Sequence, residues 1–152
     1  MRVEESIVID APPDDVWAVI HDPSSYDDLL SDVGTWRPAG EQTSGVGARY
    51  QFHMQVGSAL VGGLVEFVEA TRPRDLAWTS ITGIDHRGRW RLREIEPGRT
   101  KATFRLVWQA PGGLLGLIAD RLAAPFVKRN LRRVLENVHL TVRRRSNTMS
   151  NV

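Results

Sequence analysis

The stretch GLLGLIADRLAAPFVKRNLRRVLENVHLTVRRR, residues Gly113 to Arg145, decides how the rest of the chain folds. Its apolar residues recur every three or four positions and basic residues fall between them, which predicts an amphipathic helix. At about 1.5 Å per residue the helix spans more than about 40 Å, so its apolar stripe needs an extended partner surface. A large sheet is the one surface that the preceding sequence can supply.

Pro125 interrupts this predicted helix. Proline removes a backbone donor and crowds the preceding turn. The apolar stripe also shifts by one residue here, from Phe126 to Val127. We therefore expect a kink or a break at Ala124, with the half before it the more mobile.

The segments before the helix are short, and in most of them apolar and polar residues alternate with a period of two. A strand from Val3 to Asp10 is followed by two short helices, the second through Tyr26 and Leu30, and then by about six strands. The predicted strands cover residues 36–39, 47–56, 59–70, 76–82, 84–94 and 100–109. The layout predicts an α+β domain in which about seven antiparallel strands are covered by the long C-terminal helix.

Composition limits the remaining choices. The 152 residues favour a single domain, which we place at 1–145, and the polar residues 146–152 read as a disordered tail. No cysteine is present, so disulfides, thiol nucleophiles and thiolate metal sites are excluded. The amino terminus lacks the apolar region of a signal peptide and no run has membrane-spanning length, so we expect a soluble cytoplasmic protein.

The opening IVIDAPPDDVWAVIHDPSSYDDLL, from Ile7 to Leu30, together with the strands and the long helix, resembles the START-like, helix-grip (SRPBCC) superfamily. The likeness is strongest to its polyketide cyclase/dehydrase and lipid-transport branch. The sharpest local match consists of Ile9, Ala11, Pro12, Val16 and Trp17. The resemblance implies a helix-grip fold, in which a curved sheet grips the long helix and leaves an internal cavity for an apolar small molecule. It implies no shared catalytic motif.

Aromatic residues on the inward faces of the predicted strands are the main candidates for a site. Trp78, Trp90 and Trp108 are expected at matching positions of three successive strands, and the rings either pack as a core or line a cavity. Ser80 and His86 are polar groups expected among them, and Glu94 joins them if the alternation continues. The candidate ligand-binding residues are Tyr50, Phe52, Phe67, Trp78, Ser80, His86, Trp90, Phe104, Trp108, Ile118, Leu122 and Phe126.

Motifs for catalysis or cofactor binding are absent. The sequence has no G-x-G-x-x-G, P-loop, H-E-x-x-H or G-x-S-x-G motif. Its four histidines lack ligand spacing, so we expect neither a metal nor a cofactor. His86 is the one weak candidate for proton transfer, and a structural histidine at a strand edge is the favoured alternative.

Two surfaces allow other interpretations. Arg87, Arg89, Arg91 and Arg93, with Lys101 and Arg105, predict a basic outer face of the sheet. No aromatic residue interleaves with them and acidic residues on other strands are available, so we favour an ion-paired face over nucleic-acid binding. Apolar residues from Leu114 to Ile118, beside Lys128 and Arg129, either touch a membrane transiently or form the lid of the cavity.

The sequence therefore favours a carrier or binding protein for a hydrophobic small molecule, a lipid or a polyketide-like compound, held between the sheet and the C-terminal helix. The competing class is a polyketide cyclase/dehydrase that acts in the same cavity. An interaction module that uses the basic face is a third class and needs no cavity. Two or more titratable side chains meeting in the cavity favour the enzyme. Monomer and homodimer both remain open.

Overall fold

A computed structural model describes all 152 residues, Met1 to Val152. The chain forms seven strands and three α-helices, with one turn of 3₁₀ helix, Pro23–Ser25, before the second helix. The elements are β1 (Arg2–Ile9), α1 (Pro13–Ile20), α2 (Tyr26–Leu30), β2 (Gly34–Pro38), β3 (Arg49–Val56), β4 (Ala59–Thr71), β5 (Asp75–Ser80), β6 (Asp85–Glu96), β7 (Arg99–Gln109) and α3 (Leu114–Ser150).

The seven strands form one antiparallel sheet in the order β1-β7-β6-β5-β4-β3-β2. Helix α3 contacts β1 and β7 at one side of the sheet and β3 near the other. The middle strands β4, β5 and β6 make no comparable contacts with α3, as expected for a sheet that curves around the helix. The structure thus confirms the expected helix-grip architecture.

The turn from β1 into α1 follows from a few residues. Pro12 has extended dihedral angles, φ −67° and ψ 157°, and caps the start of α1. The buried Thr100 hydroxyl donates a hydrogen bond of 2.7 Å to the Ala11 carbonyl and fixes the turn to β7. Val16 and Trp17 are buried on the inner side of α1. These contacts assign a packing role to the segment that carries the family resemblance.

Helix α3 is continuous through Pro125, so of the two expected outcomes at Ala124, a kink or a break, the break is wrong. Pro125 has no N–H to donate to the carbonyl group of Arg121. Both residues are exposed, so water reaches the residue whose carbonyl lacks its donor. The buried stripe in the second half of the helix consists of Val127, Leu131, Val134, Leu135, Val138 and Val142. This stripe covers the sheet as its spacing predicts.

The same helix continues to Ser150, where the sequence predicted a disordered tail from residue 146. The hydroxyl groups of Ser146, Thr148 and Ser150 donate to carbonyls four residues earlier, at 3.0 to 3.1 Å. Extending an existing helix avoids the cost of nucleation, so a polar segment can continue it without burying a face. No helix combines the length and apolar character needed to cross a bilayer.

The basic outer face is largely ion-paired. Asp75 accepts from Arg91 and Arg93, each at 3.1 Å, and Arg89 lies 2.6 Å from Glu69. Partial burial of Asp75 acts to raise its pKa, but the hydrogen bonds from the two arginines outweigh it, so the pKa is lowered. The pairs agree with the interpretation of the row as an ion-paired surface, although the sequence reasoning did not identify Asp75 as its centre.

Candidate functional site

An apolar pocket lies between the first half of α3 and the end of the sheet formed by β3, β4, β6 and β7. Its volume is about 550 Å³, and fourteen of its nineteen lining residues are hydrophobic. The sheet side comprises Phe52, Met54, Leu106 and Trp108, and the helix side comprises Ala119, Leu122, Ala123, Phe126 and Val127. The pocket opens to solvent, since Leu122 is 69% exposed and Phe126 is 46% exposed.

A glycine in β4 helps to keep this end of the sheet open. Gly62 lines the pocket and has φ of 148°, and a Cβ placed on it would lie 2.0 Å from the Phe52 carbonyl oxygen. Only glycine fits there, so no side chain fills the space. The pairing of Gly62 and Gly63 with β3 is regular, and the register shift of β4 lies between Phe67 and Glu69.

Most of the aromatic candidates lie outside the pocket, in an aromatic cluster at the centre of the sheet. Tyr50, Phe67, Trp78, Trp90 and Phe104 are all buried and none lines the pocket. The rings of Trp90 and Phe104 stack with centroids 4.1 Å apart, and the void left in the cluster is only about 10 Å³. These five residues pack together in the core and do not line this pocket, and a ligand-binding role for them stays a prediction.

The register explains why the tryptophans separate. Gly88 is opposite Trp78, whereas Trp90 is opposite Phe104 and Trp108 is opposite His86. The sequence predicted that the three tryptophans occupy matching positions, and the register shows that they do not. Trp108 lies nearer the end of the sheet, at the pocket, while Trp78 and Trp90 lie in the cluster.

The other candidates divide in the same way. Phe52, His86, Trp108, Leu122 and Phe126 line the pocket. Ser80, Ile118 and Glu94 do not. The Ser80 hydroxyl instead accepts a hydrogen bond of 3.0 Å from the His86 backbone N–H, while Ile118 is 53% exposed. Glu94 is paired with Thr100 near the end of β6 and is exposed, and the register shifts only after it, between Glu94 and Glu96.

His86 is a buried polar group on the sheet side of the pocket, only 4% exposed. Its Nδ1 lies 2.8 Å from the Ile84 carbonyl oxygen, which can only accept, so Nδ1 carries the hydrogen. Its Nε2 is buried without a partner. Burial lowers the pKa of the imidazole, and the Ile84 hydrogen bond opposes that shift only in part.

The lowered pKa of His86 makes stability depend on pH. Between its unfolded pKa near 6.5 and the lower folded value, the unfolded chain binds more protons, so the free energy of unfolding falls as the pH falls through this window. Urea unfolding between pH 7.5 and pH 5 measures the slope. The slope should become shallower in His86→Gln than in the wild type. Equal slopes in the variant and the wild type would contradict the assignment.

Asp120 is the polar residue that the sequence reasoning missed. It is 3% exposed and lines the pocket from α3, and its Oδ1 accepts a hydrogen bond of 3.1 Å from the Ala110 backbone N–H. No cationic side chain lies within salt-bridge distance of it. Its place on the buried face could be inferred from spacing, because Asp120 is four residues after Gly116 and seven before Val127, which are both buried. An acidic residue on the buried stripe is unusual and marks a functional candidate.

Solved structures share the fold over nearly the whole chain. TTHA0849 from Thermus thermophilus has a TM-score of 0.81 and 18% identity, over 96% of this chain and 99% of that chain. The Zhui aromatase/cyclase from Streptomyces sp. R1128 has a TM-score of 0.78 and 21% identity, over 96% and 95%. A START superfamily protein from Mycobacterium smegmatis has a TM-score of 0.73 and 9% identity, over 94% and 97%.

No curated protein matches this chain. The family model described as "Polyketide cyclase / dehydrase and lipid transport" matches residues 1–143, which include every strand and the buried stripe of α3. With the shared fold, this match shows that the chain belongs to the polyketide cyclase/dehydrase and lipid-transport family.

Proposed function

We propose that the protein binds a hydrophobic small molecule in the apolar pocket, as a carrier or binding protein. The observation that carries the proposal is the pocket itself, about 550 Å³ in volume and mainly hydrophobic in lining. Small-molecule sites usually have volumes of about 300 to 1,000 Å³, with apolar walls and a few polar groups. His86 and Asp120 supply those polar groups.

The surroundings of the opening support the same proposal. Leu60, Leu114 and Leu117 are each more than half exposed near the end of the sheet and at the start of α3. Such large apolar side chains are costly to leave in water unless they serve a contact. Leu122 and Phe126 are exposed apolar residues that line the pocket itself, so an apolar ligand that enters it would bury part of their surface and gain about 25 cal/mol for each Å² removed from water.

Filling the pocket tests the proposal. Ala119 lines the pocket but is exposed, so Ala119→Trp places a large ring there at little cost to folding. Leu117→Trp puts the same ring on an exposed residue of α3 that does not line the pocket. We expect the neutral probe N-phenyl-1-naphthylamine to bind the wild type and Leu117→Trp with one saturable site, and Ala119→Trp at least about tenfold more weakly, since overpacking removes the space. Fluorescence titration gives the three dissociation constants, and equal values would contradict the proposal.

A cyclase or dehydrase acting in the same pocket is the second candidate function. The observation in its favour is that two titratable side chains, His86 and Asp120, line one pocket. His86 is opposite Trp108 on the neighbouring strand, and Asp120 accepts from the backbone N–H of Ala110, two residues after Trp108, so the two groups lie at the same end of the sheet. Proton transfer to and from a bound compound needs such groups near the reacting atoms.

Incubation with polyketide-like compounds separates the two candidates. A carrier returns its ligand unchanged, a dehydrase returns a product lighter by one water, and a cyclase returns a cyclised compound that elutes differently even where its mass is the same. Liquid chromatography with mass spectrometry of the recovered compounds, with and without protein, measures the difference. A product that forms only with protein and disappears in Ala119→Trp would replace the carrier by the enzyme.

A further inference from the structure

The buried polar side chains of the pocket, His86 and Asp120, are both hydrogen-bond acceptors. The Nδ1–H of His86 is used by the Ile84 carbonyl, which leaves the lone pair of Nε2 unpaired inside the protein. The Asp120 carboxylate accepts one hydrogen bond, from Ala110, and its second oxygen has no partner. Neither side chain has a hydrogen left to offer a ligand.

The other lining residues add few hydrogen-bond donors to the pocket. Ser58 is exposed at the turn between β3 and β4, and Trp108 adds one indole N–H, a neutral donor. No lysine or arginine lines the pocket. A ligand that carries only acceptors would therefore leave the buried Nε2 of His86 unpaired and would offer no hydrogen to the Asp120 carboxylate, and an anionic ligand would meet that carboxylate with no cation beside it.

We propose that the pocket selects hydrophobic ligands that carry hydrogen-bond donors, such as hydroxylated ring compounds, and discriminates against carboxylates such as fatty acids, with Asp120 and His86 as the accepting groups. The inference rests on the proposed function, because it names the ligand class of the same pocket. The hydroxyl group of a ligand donates to a buried acceptor that is otherwise unpaired. A ligand without a donor leaves that acceptor unpaired and therefore binds more weakly, which is the source of the selectivity.

Three probes with one ring system test this selectivity at pH 7.5. 1-Naphthol can donate a hydrogen bond, 1-methoxynaphthalene can only accept, and 1-naphthoate is an anion. We expect 1-naphthol to bind about tenfold more tightly than 1-methoxynaphthalene, and 1-naphthoate to bind most weakly. Isothermal titration calorimetry gives the three affinities.

Asp120→Asn tests the residue assignment. Its side-chain oxygen can still accept from Ala110, while the second oxygen becomes an N–H₂ donor. The preference for 1-naphthol over 1-methoxynaphthalene should fall to about threefold or less, and binding of 1-naphthoate should strengthen. Asp85→Asn is the matched control, because Asp85 is exposed beside His86 and does not line the pocket, and it should keep the wild-type preference.

The outcomes separate the failure of this inference from the failure of the proposed function. Equal affinities for 1-naphthol and 1-methoxynaphthalene in the wild type, both lost in Ala119→Trp, would overturn the donor preference and leave the pocket as a binding site. An unchanged preference in folded Asp120→Asn would overturn the role of Asp120. Absence of saturable binding by all three probes and by N-phenyl-1-naphthylamine would overturn the donor preference and the proposed function together. The wild-type comparison is decisive even if Asp120→Asn does not fold.

Discussion

Replacement of Trp36 by alanine should lower the free energy of unfolding by about 3 to 5 kcal/mol. Trp36 is 2% exposed on β2, at one edge of the sheet, and its ring is at the centre of the aromatic cluster. Its ring centroid lies 5.0 to 6.0 Å from those of Tyr26, Tyr50, Phe52, Phe67 and Trp78. Removing it leaves a cavity among rings that cannot all move inward, so the loss should reach the upper range for core substitutions.

Urea unfolding of Trp36→Ala beside Thr35→Ala measures this effect. Thr35 is the neighbouring residue on β2 and is exposed, so its truncation should cost less than about 1 kcal/mol. A loss below about 1 kcal/mol for Trp36→Ala as well would contradict the central place of this ring in the core.

Leu131→Ala should cost about 2 to 5 kcal/mol, because Leu131 is completely buried in the stripe that joins α3 to the sheet. Leu140 lies on the same helix and is 49% exposed, so Leu140→Ala is a matched control with the same change of side chain. Its cost should stay below about 1 kcal/mol. Equal losses for the two variants in chemical unfolding would contradict the packing of this helix face.

Most of the fold could be predicted from periodicity. The alternation along β3 and β7 and the helical spacing from Val127 to Val142 fix which face of each element is buried, and the structure agrees. The end of α3 could not be predicted in this way, because its last residues are held by backbone bonding and bury nothing. The importance of Trp36 was also missed, since its short strand shows no clear pattern and the rings around it come from α2, β3, β4 and β5.

The site could be predicted only in part, because alternation shows which face a residue is on and not how far along the sheet it lies. Trp78 and Trp108 are both on the inner face, yet Trp78 is in the packed cluster and Trp108 is at the pocket. Strand register decides this difference, and register depends on turns and on the position of Gly88 opposite Trp78. Asp120 was missed because it interrupts an apolar run, and periodicity alone does not show that such a residue lines a pocket.

The central claim is that an apolar ligand occupies the space between the first half of α3 and the open end of the sheet. Methyl-resolved NMR titration with 1-naphthol tests it most directly, because the pocket and the core carry different methyl groups. Saturable shifts are expected at Val61, Ile84 and Leu122, which line the pocket, and none at Leu131 or at Val107 on the outer face. Shifts confined to the outer face, or no saturable shift at the pocket methyls, would contradict it.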